Sequence, residues 1–115
     1  MKKDPCVYLL HIRDAIECIT TYTSGGKKVF LSDEKTQDAV ILNLAIIGEA
    51  VKKLSPRVKS HYPEIPWKNI AGTRDVLIHD YDSTEIIKIW NIVKKDIPIL
   101  RRTIKKMLKD LATNS

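Results

Sequence analysis

Cysteine is almost absent from this chain. Cys6 and Cys18 are its only two in 115 residues, which excludes the disulfide framework that holds together many small secreted domains. They lie twelve positions apart on what reads as one helix, too far along the axis to bond to each other. Reduced thiols in a cytoplasmic protein are expected. No metal-ligand spacing is present either: His11, His61 and His79 are scattered and match no zinc pattern. Neither metal nor cofactor is therefore expected. The apolar run after the basic Met1-Lys2-Lys3 stops at His11, too short for a signal peptide or a membrane span. There are no repeats, no low-complexity tract and no composition shift that would mark a second domain, so residues 1–115 read as one domain.

Negative charge is also in short supply. Twenty lysines and arginines face fourteen aspartates and glutamates, for a net charge of +6. That balance favours a polyanion or an acidic partner through its long-range field, although a solvated basic surface has the same composition. A hydrophobic content of 43% is enough for one core.

What is present is helical periodicity. Asp4-Pro5 has the pattern of a capped helix start, and Leu9, Ile12, Ile16 and Ile19 then form one apolar stripe ending near Tyr22. Ser24-Gly25-Gly26 suits a left-handed cap, and Lys27–Leu31 reads as a connector. Ser32 or Asp33 caps a second helix reaching about Leu54. Between Ala39 and Val51 that helix is apolar on nearly every face, interrupted only by Asn43 and Glu49, so other helices or a second subunit must cover it. Ser55-Pro56 begins a short helix to about His61. Pro66 starts another helix, in which Gly72 would be tolerated for close approach of a neighbour. Asp82-Ser83-Thr84-Glu85 reads as a capping box for the last helix. Pro98 should kink or divide that helix, and the tail from Ala112 should fray. Its face from Lys94 to Lys109 is basic, open to RNA or to the acidic surface of a partner. The expected architecture is an all-α, up-and-down bundle of four main helices plus one short one.

Chemistry concentrates in Ile70–Tyr81, where Arg74, His79 and Tyr81 surround the apolar triplet Val76-Leu77-Ile78. Histidine titrates near neutrality and can move a proton at a sugar hydroxyl. Arginine stays charged and grips phosphate oxygens as negative charge builds on them. RNA brings its own nucleophile, the 2′-hydroxyl, so such a pair suits phosphodiester cleavage without a metal. On an ideal helix Arg74 and Tyr81 share a face, as do Asp75 and His79, but Arg74 and His79 point about 140° apart. They meet if the helix ends near His79, if the arginine reaches round, or if two copies face each other. The bland alternatives stay open: His79 as a helix cap, Arg74 as an ion-pair partner of Glu49, Tyr81 as a packed aromatic.

Arg74-x4-His79-x-Tyr81 resembles the Arg-x4-His-x-Tyr motif of the HEPN superfamily, and more narrowly the HepT toxins. The flanks Ile46-Ile47-Gly48-Glu49-Ala50, Pro66-Trp67-Lys68-Asn69-Ile70-Ala71-Gly72, and Trp90-Asn91-Ile92-Val93 with Asp96-Ile97-Pro98 resemble that family too. The resemblance implies a homodimer whose two motifs share a cleft. It also implies metal-independent endoribonuclease activity as the toxin of a type VII-like toxin–antitoxin pair. The partner would be a minimal nucleotidyltransferase antitoxin that transfers AMP onto the motif tyrosine. Arg74 and His79 would then be the catalytic pair and Tyr81 the AMPylation site, with Asp75 and Glu49 in supporting positions. A reading from another class is a non-catalytic helical module that binds a nucleotide or docks the nucleotidyltransferase.

Overall fold

Asp4 starts the first helix as expected. Its carboxylate accepts from the Cys6 backbone N–H at 2.9 Å, and Pro5 occupies the first helical position. In the computed structural model, which describes residues 4–72 and 83–113, helix α1 runs Pro5–Tyr22. Helix α2 follows at Lys27–Ser32, α3 at Glu34–Lys53 and α4 at Pro56–Ser60. Residues 67–72 are helical and constitute α5 as far as it is described. The last helix, α6, spans Ser83–Thr113. No strand occurs among the described residues, and the all-α bundle is the architecture observed.

The predicted α1 stripe is the buried one: Leu9, Ile12, Ile16 and Ile19 are at most 1% exposed. They pack α1 against both α3 and α6, while α2 bridges α3 and α6. From α3 come Val40, Leu44, Ile47 and Val51, and from α6 Ile89, Trp90, Val93, Ile97, Leu100, Ile104 and Met107. At 1.5 Å per residue α6 alone is about 46 Å long, which matches the 45 Å long axis of the molecule. Asp33 caps α3. It accepts from the Lys35 N–H at 3.2 Å and the Thr36 hydroxyl at 2.7 Å, and the Thr36 bond foremost holds its carboxyl below the usual range. Asn43 satisfies itself on its own helix, donating to the Ala39 carbonyl at 2.8 Å.

Five details differ from the expectation. Lys27–Ser32 is a helix rather than a connector. It is six residues long, too short to display a periodicity, and it is held by tertiary contacts. Phe30 is 1% exposed and lies 5.2 Å, centroid to centroid, from Trp90. Gln37 of α3 donates to the Phe30 carbonyl at 2.9 Å in a buried setting. The glycine pair does not give α1 a left-handed end: the C-cap is Thr23 at φ −100°. The positive φ, 93°, belongs to Gly26 at the N-terminus of α2, where lack of a Cβ permits it. Pro98 neither divides α6 nor ends it. It sits on an exposed position, so the carbonyl that loses its helical donor, that of Lys94, is on the solvent side where water can replace the bond. The helix also persists to Thr113, one residue past where fraying was expected to begin. At Gly72, no described atom lies within 4 Å of where a Cβ would stand, so close approach within the described chain is not the reason for that glycine.

Phe30→Ala should lower unfolding free energy by about 3–5 kcal/mol, the range for an aromatic lost from a closed core. Urea denaturation would show this as a lower midpoint, whereas a mere connector residue would change it by about 0.5 kcal/mol or less.

Candidate functional site

Arg74, Asp75, His79 and Tyr81 lie outside the described residues. The frame that leads into and out of their stretch is described, and it is tightly specified. After α3 the chain turns at Leu54, and Ser55 caps α4 by accepting from the Val58 N–H at 3.1 Å. Lys59 reaches back to the Val51 carbonyl at 3.4 Å, near the end of α3. Trp67 then closes the turn. Its indole N–H is shared between the carbonyls of Lys59, at 3.1 Å, and Tyr62, at 3.0 Å. With Ile65 and Ile70 buried at 3% and 6% exposure, this seats the first turn of α5 in the core.

A longer tether fixes the same corner to the far end of α6. The Tyr62 hydroxyl donates to Asp110 Oδ2 at 2.7 Å, across 48 residues of sequence. Burial, then the Asp110 carboxylate beside it, pushes the Tyr62 phenol up to about 12, so it remains a donor throughout the physiological range. Tyr62, Trp67 and Asp110 therefore position the entry to the motif, and sequence spacing did not single them out for it. The Tyr62-Pro63 and Pro66-Trp67 pairs mark a turn, but nothing in spacing connects Tyr62 to Asp110.

Glu49 is the one candidate whose surroundings are described. It is half-buried on α3, and its Oε1 is shielded from solvent. Its proposed pairing with Arg74 falls outside the described residues. The side of α3 around it is not fully covered: Leu42 is 62% exposed and Ile46 40%, one helical turn apart and in line with Glu49. Among the described residues no helix is long and apolar enough to cross a membrane.

A helical bundle whose sequence carries Arg-x4-His-x-Tyr between its described residues 72 and 83 is a domain of the HEPN type. The chain belongs to the ribonuclease HepT-like family, whose model matches residues 12–107. It is 44% identical over 110 residues to a protein of Thermococcus cleftensis named "probable ribonuclease HepT", covering 95% of this chain and 100% of that one. It is 42% identical over 115 residues to a Methanocaldococcus jannaschii protein named "gamma-glutamylcyclotransferase and putative RNase", covering 99% of this chain. The chain spans 52% of that longer relative. No solved structure matches it significantly.

Tyr62→Phe should cost about 1 kcal/mol near neutral pH, the usual net value of one hydrogen bond. Because the folded phenol titrates about two units above its ordinary value of 10, this contribution is complete below about pH 10. It disappears as pH rises through about 12. Urea midpoints of wild type and variant should converge over that interval.

Proposed function

We propose that this protein is a metal-independent endoribonuclease, acting in the cytoplasm as the toxin of a type VII-like toxin–antitoxin pair. The observation that carries the reading is the intact Arg74-x4-His79-x-Tyr81 motif inside the family match. His79 takes the proton from a ribose 2′-hydroxyl. The freed oxygen attacks the adjacent phosphorus, and the 5′-oxygen leaves with a proton, giving a cyclic phosphate and a 5′-hydroxyl. Arg74 stabilises the negative charge that builds on the phosphoryl oxygens in between. Since Arg74 and His79 diverge by about 140° on one regular helix, the working unit is a homodimer in which two motifs face one another. Two histidines in one cleft would also separate the roles of base and acid. The exposed Leu42 and Ile46 support that dimer, being apolar side chains left open to solvent on one side of α3.

A minimal nucleotidyltransferase would silence the enzyme by transferring AMP to the Tyr81 hydroxyl. The Tyr81 oxygen bonds to the α-phosphorus of ATP and pyrophosphate leaves. The added phosphate carries negative charge on the face shared with Arg74, where it competes with the substrate phosphate. Asp75 and Glu49 would serve to orient the pair.

The purified dimer should cleave RNA in EDTA, and His79→Ala should reduce the rate by at least about 100-fold; cleavage that is unchanged in this variant sinks the reading. Co-expression with the nucleotidyltransferase should add AMP mass to the wild type but not to Tyr81→Phe. Tight nucleotidyltransferase binding with neither RNA cleavage nor growth arrest would instead make the chain a docking module. Leu42→Glu with Ile46→Glu should yield a monomer by light scattering, with cleavage lost along with the shared cleft.

A further inference from the structure

The charged face of α6 is not uniform. Where it meets α1 it forms a groove of about 500 Å³ with a distinct chemistry. Lys94, Pro98, Arg101 and Lys105 recur at spacings of four, three and four, so they line one side of the helix, with Arg102 beside them. The floor is apolar, from Ile19, Val93, Ile97 and the ring of Pro98. The α1 wall contributes Thr20 and Thr23, whose hydroxyls donate to the Ile16 and Ile19 carbonyls at 2.9 and 2.8 Å. Those bonds use the hydroxyl protons and leave oxygen lone pairs for an incoming donor.

Among the described residues no carboxylate lines the groove. Arg101 pairs with Glu17 at 3.1 Å, on the α1 side. Arg102 and Lys105 have no carboxylate partner within 4.0 Å among the described residues. Lys94 is held over the Trp90 ring, its Nζ 5.0 Å from the centroid, which keeps its charge at the groove's near end.

We propose that this groove binds a single-stranded segment of RNA outside the cleavage site, and the assignment rests on the ribonuclease reading above. Cations repeating along the helix match a phosphate backbone. The apolar floor and the guanidinium planes suit bases and riboses. The hydroxyl acceptors suit 2′-hydroxyl and base N–H donors, which an acidic protein side chain does not offer. The position fits as well. Lys94 and Lys105 lie about 17 and 33 Å along α6 from Ser83, the residue that follows the motif stretch. RNA leaving the cleft along α6 would reach the groove within several nucleotides, making it a length-dependent anchor.

The test uses the full chain carrying His79→Ala, so that RNA survives the measurement. Binding of an unstructured 12-nucleotide RNA is followed by fluorescence anisotropy across a salt series. Arg102→Glu with Lys105→Glu should weaken binding at least tenfold. It should also reduce the salt slope by about 1.4, the value for two lost single-strand phosphate contacts. Arg102→Lys with Lys105→Arg should bind as before, and thermal melts should coincide, since both positions are solvent-facing. Without His79→Ala, the charge-reversed chain should show raised KM for the 12-mer and ordinary cleavage of a dinucleotide. Unchanged affinity and salt slope would overturn the proposal. Polyglutamate bound more tightly than RNA, and lost in the same variant, would overturn it in favour of an acidic protein surface. Absence of cleavage by the wild type would defeat the ribonuclease reading while the anisotropy result still decides the groove.

Discussion

The packing of α1 against α3 is the constraint on which the other placements depend. α3 is apolar around most of its circumference, and a helix of that kind is stable only where neighbours remove those side chains from water. α1 answers with one clean stripe, Leu9, Ile12, Ile16 and Ile19, almost completely buried. Because the same helix also packs against α6, it lies in contact with both of the chain's longest elements. α2 then fills the remaining gap between α3 and α6 with a single aromatic, Phe30, pinned from behind by Gln37. What this arrangement leaves open is the Leu42–Ile46 side of α3, and that uncovered side is where the fold and the proposed dimer meet.

The second consequence concerns the motif. The proposed pair, Arg74 and His79, would need its backbone held at both ends to handle one phosphate. α6 is continuous from Ser83 and anchored along its length in the core. The other end is secured by Trp67, whose N–H is split between two carbonyls, and by the Tyr62–Asp110 bond. These contacts take no part in the proposed chemistry. Their effect is to limit where the ten-residue stretch between the two anchors can begin and finish, which is how preorganisation is usually achieved. The groove between α1 and α6 extends the same economy: one helix carries the exit from the motif, more than a third of the described buried hydrophobic residues and a row of cations.

Much of this was legible from residues alone. The stripe of α1, the Asp4-Pro5 start, the capped α3 and the Ser55-Pro56 start all follow from local rules that act within a few residues, so local reading recovers them. α2 was missed because six residues hold too little pattern, and its reason for being helical, Phe30 against Trp90, is sixty residues away in the chain. Pro98 was expected to kink or divide α6 because a proline removes a helical hydrogen bond, and the helix runs through it undivided. The cost is small here because the proline faces solvent, and solvent exposure is a tertiary property.

The sequence by itself determined the helical class, the buried faces of its long helices, the basic surplus and the presence of Arg74, His79 and Tyr81 at motif spacing. Each of these depends on composition or on periodicity along one helix. Only the tertiary structure decided that Tyr62 would reach Asp110, that Leu42 and Ile46 would stay exposed, and that Thr20 and Thr23 would face the cations of α6. Those relations join residues tens of positions apart, and no periodicity within a single helix encodes which neighbour its outward face will meet.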